Sequence, residues 1–329
     1  MKEKEYPCAQ CKMRRKYDEN PKSLIARFWH WHTRFCPVWK DYLGSLSEEE
    51  RDETIRKYHL RVPMTIVIVM LSLSAYAQSS PKAIDRYGVC LLADGKTTGV
   101  RMDKPFAMHS IMKFPQAVFV ADCLERQSIP LSETVTVRKD ELMQNTWSPM
   151  LRMFDGQRDF SYAELLRLSL AESDNNACDI LFSRFGGSKK VEEFLRQLGF
   201  ADIHIQWTEQ ELAMDPMRSA DNNCTPKDLA CLLDWLYHHQ GQNEYLRFVW
   251  QTMASCLTGS ERIASIIPAG AVFVHKTGTG FPSKDKRQDR NDAGVIIMPD
   301  GTYQVIAVFA PQSEKEEDVA KMGKKFVKR

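Results

Sequence analysis

The chain of 329 residues is 43% apolar and 27% charged, with a formal net charge of +2. That is ordinary globular composition, and the near-neutral charge removes the electrostatic argument for a nucleic-acid binder. The length fits one large domain with an appendage, or two domains, and no repeat or low-complexity tract divides it.

Residues 1–61 are charged and aromatic, with helical periodicity at 21–33 and 47–58. Ser47, three residues before Glu50, has the capping-box pattern. Cys8-x-x-Cys11, followed by His30, His32 and Cys36, offers zinc-ligand types. The second half lacks a clean pair spacing, so a helical appendage without metal is expected. The chain has nine cysteines, an odd and scattered set that makes no disulfide framework. Several read as small buried hydrophobes.

An apolar run spans Met64–Tyr76, with Arg56, Lys57, His59 and Arg61 before it and Ala75-Tyr76-Ala77 at its end. A basic flank, a short apolar core and an A-x-A site form the pattern of a secretory signal. The run is short for a spanning helix, which needs about 20 apolar residues. It begins some sixty residues into the chain. Either the start lies near Met64, or residues 1–61 stay inside and the run is an uncleaved anchor or internal signal. A buried core element is the structural alternative. Either signal reading exports residues 78–329 to the periplasm. The expected organisation is thus a helical appendage over 1–61, a signal or anchor over 62–77, and a catalytic domain over 78–329.

Residues 86–92 read as a strand, and Asp94-Gly95 is a hairpin turn leading to a second strand near 97–102. A helix follows from Ser110 to about Glu125. The stretch 130–255 reads as mostly helical, with periodic runs at 161–170, 177–185, 190–198, 226–238 and 244–255. Ser161-x-x-Glu164 and Thr225-Pro226 mark helix starts. An irregular polar stretch occupies 203–224. Strands return at Val272–Lys276, Ala293–Met298 and Tyr303–Phe309, with Asp300-Gly301 as a turn and a terminal helix from Glu314. The expected fold class is α+β. An antiparallel sheet is built from both chain ends and flanked by helices, with an all-helical subdomain beside it.

Ser110-x-x-Lys113 places an amine and a hydroxyl on one helical face. A serine hydroxyl is a weak nucleophile until a neighbouring base takes its proton. The same spacing recurs at Ser79–Lys82 and Ser283–Lys286, so the pair alone selects nothing. Ser173-Asp174-Asn175 occurs once and would by itself be a helix cap or polar turn. Lys276-Thr277-Gly278-Thr279-Gly280 also occurs once, at a strand end, and would by itself be a glycine-rich turn.

In that order, on helix, loop and strand end, the three motifs are the signature of penicillin-recognising serine acyltransferases. Over about residues 86–315 the sequence resembles the class A serine β-lactamases, closest to the Bacteroides-type branch. The resemblance implies hydrolysis of penicillins and cephalosporins through a serine acyl-enzyme, by a monomer without metal or cofactor. It implies Ser110 as nucleophile, with Lys113, or Glu209 through a water, taking its proton. Ser173 would pass a proton to the leaving nitrogen. Asn175 would bind the acylamino side chain. Lys276, Thr277, Gly278, Thr279 and Arg262 would form the carboxylate site. Trp147 would line the mouth, unless it is a core tryptophan. Backbone N–H groups of Ser110 and Thr279 would make the oxyanion hole. Glu209 would activate the deacylating water.

Three departures from the family pattern stand out. Ala213 replaces the asparagine four residues after the glutamate, and Asp179 replaces the one six residues after Ser173. Both imply a differently folded omega loop. Only Gln78 to about Ile84 precedes the first strand, and the terminal helix at 314–329 is short. One face of the sheet is therefore expected to be poorly covered. A D,D-peptidase, or an inactive β-lactam-binding domain, is the competing reading.

Overall fold

A computed structural model of the chain describes residues 8, 11–33, 36–58 and 86–327. The chain divides into two compact units, Met1–Ser80 and Pro81–Arg329. The apolar run at 64–77 and the segment from Gln78 to Ile84 lie outside the described residues. Among the described residues no helix is long and apolar enough to cross a membrane.

The first unit contains the helices Lys12–Glu19, Leu24–His32, Pro37–Ser45 and Glu48–Lys57. The Ser47–Glu50 capping box opens the last of them. Trp29, Trp39 and Tyr58 form the core of this unit. The Arg14 guanidinium donates to the Tyr58 hydroxyl at 2.9 Å, and that hydroxyl donates to Asp18. Of the zinc-ligand types, Cys8, Cys11 and Cys36 pack against that core. His30 Nε2 contacts the Tyr58 carbonyl at 2.9 Å, and His32 stacks on Phe28. Among the described residues no group of three His, Cys, Asp or Glu side chains is arranged to hold a metal.

The second unit is built on a five-stranded antiparallel sheet. In chain order its strands are β1 (Gly88–Ala93), β2 (Lys96–Val100), β3 (Phe106–Ala107), β4 (Thr134–Arg138), β5 (Gln157–Ser161), β6 (Ile203–His204), β7 (Asn223–Cys224), β8 (Val272–Thr279), β9 (Gln288–Ile297) and β10 (Tyr303–Ser313). The main sheet runs β2-β1-β10-β9-β8, so the first and last strands of this unit pair within it. Asp94 and Gly95 both take positive φ, 52° and 66°, as a two-residue hairpin demands. Ala93 pairs with Lys96 directly across that turn.

Side chains alternate across the sheet with period 2. Val274, Val295, Val305, Ala307 and Phe309 face the larger core, with the helices Lys113–Gln127 and Pro226–His239. Val89, Leu91, Ile296, Ile306 and Val308 face the other way, onto Ile263, Val319 and Met322. Poor cover on that face was expected and is not found: Val89, Ile306 and Val308 are 0% exposed. The helix Glu317–Gly323, though short, lays its apolar side on them.

The helical middle is where expected, but it contains a hairpin of β4 and β5 paired from Thr134–Ser161 to Arg138–Gln157. A buried helix, Lys113–Gln127, runs through the core, with Lys113, Phe114, Val118 and Leu124 among its buried residues.

Candidate functional site

Ser110 lies in a 3-10 turn, His109–Met112, that leads directly into the Lys113–Gln127 helix. Strand β8 approaches this turn so closely that a Cβ on Gly278 would stand 2.4 Å from the Met108 carbonyl oxygen. Glycine is therefore required there by space. The approach brings Lys276, Thr277 and Thr279 alongside Ser110. Thr277 and Thr279 line one cavity of about 710 Å³ with Ser110, Ser173, Asn175, Glu209, Arg262 and Trp147.

Lys113 is 0% exposed, beneath the cavity floor. Its ammonium donates to Ser110 Oγ at 2.7 Å and to Asn175 Oδ1 at 2.7 Å, and is ion-paired with Glu209. All three N–H donors have acceptors. The Ser110 hydroxyl faces the same Glu209 carboxylate at 3.4 Å. One serine oxygen is thus shared between an amine and a carboxylate that contact each other. This arrangement can remove a proton from the hydroxyl.

Ser173 sits at φ 61°, left-handed backbone that turns its side chain into the site just before the Asn175–Arg184 helix. Asp174 caps that helix from the Ala177 N–H and also accepts from Ser148 and Met150. The loop carrying Trp147 is thereby bound to the loop carrying Ser173. Lys276 donates to Ser173 Oγ at 2.9 Å and to the Thr277 carbonyl at 2.8 Å. Burial pulls this amine down to about 7. Asn175 also donates to Thr146 at 2.7 Å. Trp147 is 60% exposed, its Nε1 donating to the Glu172 carbonyl, so it is a rim residue and not a core one.

Glu209 opens the helix Glu209–Met214, which has a capping box of Thr208 and Glu211. The two oxygens of Asp179 accept the Glu209 and Gln210 N–H groups at 2.8 and 2.7 Å. Burial and the Glu209 charge push Asp179 up to about 7, against the pull of those two N–H groups. The aspartate that departs from the family pattern is thus an anchor for the helix bearing Glu209. Ala213 lines the cavity one turn further on.

Arg262 is 3% exposed. It donates to the Gly278 and Asn291 carbonyls at 2.9 and 2.7 Å and to Thr279 Oγ1 at 2.7 Å. Its Nε pairs with Glu316, which Arg290 also holds at 3.0 Å. Arg262 therefore faces the cavity behind Thr279, buttressing β8. Glu316 was missed in the sequence because it lies 54 residues away with no motif around it. All the expected site residues converge. Lys113 and Lys276 lie under the cavity wall, bonded to the serines that line it, and Gly278 serves by having no side chain.

A family model described as the β-lactamase enzyme family matches residues 72–328. The chain belongs to that family. The match extends past the 86–315 span from which the resemblance was drawn. A β-lactamase of Bacteroides uniformis is 35% identical over 222 residues, covering 65% of this chain and 74% of the relative. VEB-1 of Pseudomonas aeruginosa is 30% identical over 239 residues, covering 71% of this chain and 80% of the relative. Among solved structures, the TLA-3 extended-spectrum β-lactamase aligns with TM-score 0.72 at 30% identity, over 76% of this chain and 95% of that one. A class A β-lactamase of Bacteroides cellulosilyticus aligns with TM-score 0.70 at 28% identity, over 76% and 94%. This chain is a class A serine β-lactamase by family, with the α+β fold of those neighbours.

Proposed function

We propose that this β-lactamase opens the lactam ring of penicillins and cephalosporins through an acyl-enzyme on Ser110. The observation that carries the reading is the Lys113 ammonium bound at once to Ser110, at 2.7 Å, and to Glu209. Removing a proton from that cluster leaves a base in contact with the nucleophile, whether the proton is held by Lys113 or by Glu209. Ring opening breaks the C–N bond. Ser173, donor-linked to Lys276, supplies the proton to the departing nitrogen. Lys276, Thr277, Thr279 and the Arg262 behind them hold the substrate carboxylate, Asn175 the acylamino group, and Trp147 the mouth. Glu209 then directs water onto the ester.

A D,D-peptidase needs no carboxylate facing its serine, and Glu209 does face Ser110. The reading includes export of residues 78–329 through the 62–77 segment, with that segment cleaved or kept as an anchor. It also includes action as a monomer, with residues 1–61 a separate appendage.

The test is turnover of a chromogenic cephalosporin by the purified chain. Wild type cycles many times. Ser110→Ala loses about 10³-fold or more in rate and forms no adduct. Glu209→Ala still acylates but loses about 10²–10⁴-fold in turnover, and intact-mass measurement shows it trapped as the acyl form. A Glu209→Ala protein that cycles normally sinks the assignment of the deacylating base. A wild type that stops after one adduct sinks the hydrolase reading.

A further inference from the structure

The residue before the nucleophile is a histidine to which the proposed chemistry gives no task. His109 lines the cavity beside Ser110. It takes φ 50°, left-handed backbone that a residue other than glycine seldom adopts. Its side chain is 8% exposed. The ring Nε2 lies 3.1 Å from Asp289 Oδ2, 180 residues away on β9. A carboxylate can only accept, so the nitrogen donates. Burial raises the Asp289 carboxyl, but hydrogen bonds from His109 and from Gln312 outweigh it and hold the group below its usual range.

Asp289 joins two more segments to the first. Its Oδ1 accepts the Gln312 N–H at 2.9 Å, at the bulge where β10 shifts register against β9. Its carbonyl accepts the Gly280 N–H at 2.9 Å, just past the end of β8. The His109 ring packs so closely there that a Cβ on Gly280 would stand 2.8 Å from its Cε1 and Nε2. Two residues along β9, Asn291 donates to the Ala107 carbonyl at 2.8 Å. Strand β9 thus holds the approach to Ser110 at two points.

The ladder also fixes where Thr279 points. Gly280 and Asp289 form a hydrogen-bonded pair, and bonded pairs alternate with unbonded ones along an antiparallel ladder. Thr279, opposite Arg290, is therefore in an unbonded pair, its N–H turned away from β9. Strand β8 ends the sheet order, so this N–H points off the sheet edge, and the Ser110 turn packs against that strand.

We propose that His109, clamped by Asp289, is a positioning residue that fixes the Ser110 N–H against the Thr279 N–H as an oxyanion hole.

The proposal rests on the acyl-enzyme reading above. The two donors come from different segments, a 3-10 turn and a strand end, and an oxyanion needs each of them about 2.7–3.1 Å away. The Ser110 N–H shares a peptide unit with the His109 carbonyl, so the His109 backbone aims it. The Thr279 N–H is one residue from Gly280, which the Asp289 main chain holds. A single residue of β9 therefore ties both donors, one through the imidazole and one through its own carbonyl. When Ser110 Oγ attacks, the π electrons of the lactam C=O move onto its oxygen. The clamp acts on that developing charge, so it affects the chemical steps more than substrate binding.

The test uses the full chain and two readouts. One is steady-state turnover of a chromogenic cephalosporin. The other is the infrared carbonyl stretch of the acyl-enzyme trapped on a Glu209→Ala background. His109→Leu and Asp289→Ala should each lower kcat/KM about 10–100-fold, mostly in kcat. That is less than the about 10²–10³-fold for losing an oxyanion donor outright, because Asn291 still holds the turn. His109→Gln keeps an N–H within reach of Asp289 and should recover most of the loss. Combining His109→Leu with Asp289→Ala should cost no more than the worse single change, because both break one contact. The acyl carbonyl stretch should rise in His109→Leu as hydrogen bonds to its oxygen weaken, and return in His109→Gln. Asp289→Asn preserves volume and an acceptor for Gln312, so it reads the clamp if the alanine variant does not fold. Unchanged kcat/KM in His109→Leu overturns the proposal. An unmoved stretch, with His109→Gln as slow as His109→Leu, reduces the residue to packing and overturns it too. Additive losses in the double variant overturn the link to Asp289. Wild type that forms no acyl adduct overturns the underlying reading and this inference with it. Wild type that acylates, with variants that match it, overturns this inference alone.

Discussion

Burial pulls the Lys276 amine down to about 7, while the Cys256 charge opposes that fall. Below about 7 the group is a cation able to bind a carboxylate; above it the cation is progressively lost. KM for a penicillin should therefore be flat at acid pH and rise above neutrality, approaching tenfold per pH unit. Cys256→Ser removes the opposing charge and should move the rise to lower pH. Steady-state kinetics across about pH 5.5–8.5 read both effects, and a flat KM in wild type would remove the cation from substrate binding. Such groups were legible in the sequence to different degrees. Ser110, Ser173 and Lys276 are fixed by short motifs, on a 3-10 turn, at a left-handed residue and in strand β8. The interactions that set their protonation are not local. Asp292 meets His275 only because β8 and β9 pair, and Glu316 meets Arg262 only because the terminal helix packs on the turn that follows Arg262.

The helix Glu209–Met214 has six residues. A helix that short is not stable by itself in water, so its position depends on attachments. Thr208 and Glu211 cap it, and Asp179 accepts its first two N–H groups. Asp179→Ala leaves those two donors without acceptors, a cost of about 1–3 kcal/mol each if they stay buried. The helix should loosen instead, carrying Glu209 away from Ser110. Turnover should fall more than acylation does, with acyl-enzyme accumulating in burst-phase kinetics. Equal losses in both steps would mean that Asp179 does not act through Glu209. The irregular reading of 203–224 missed this helix even though Thr208-x-x-Glu211 is a capping-box signature. The β4–β5 hairpin was missed for another reason. Thr134–Arg138 alternates buried and exposed in strict period 2, but its partner lies beyond a long loop with no tight-turn dipeptide, so nothing local marks the pairing.

At the scale of the whole chain, a terminal helix too short by family pattern still closes the sheet. Val319 at 0% and Met322 at 4% exposure cover Ile306 and Val308, and a Cβ on Gly323 would stand 2.3 Å from Ile263 Cδ1. Close packing here replaces length: a small residue lets a short helix sit deep. Among the described residues the cores of the two units share no residue. Trp29, Trp39 and Tyr58 center one, while the clusters on the sheet draw on residues from Tyr87 onward. Every residue lining the candidate cavity lies between His109 and Pro282. A chain of Pro81–Arg329 should therefore keep its cooperative thermal transition and its turnover of a chromogenic cephalosporin within about twofold. Calorimetry of the two forms decides. The full chain should show the transition of Pro81–Arg329 at an unchanged temperature, and a drop of several degrees on truncation, about 1 kcal/mol or more, would mean that the appendage supports the catalytic unit.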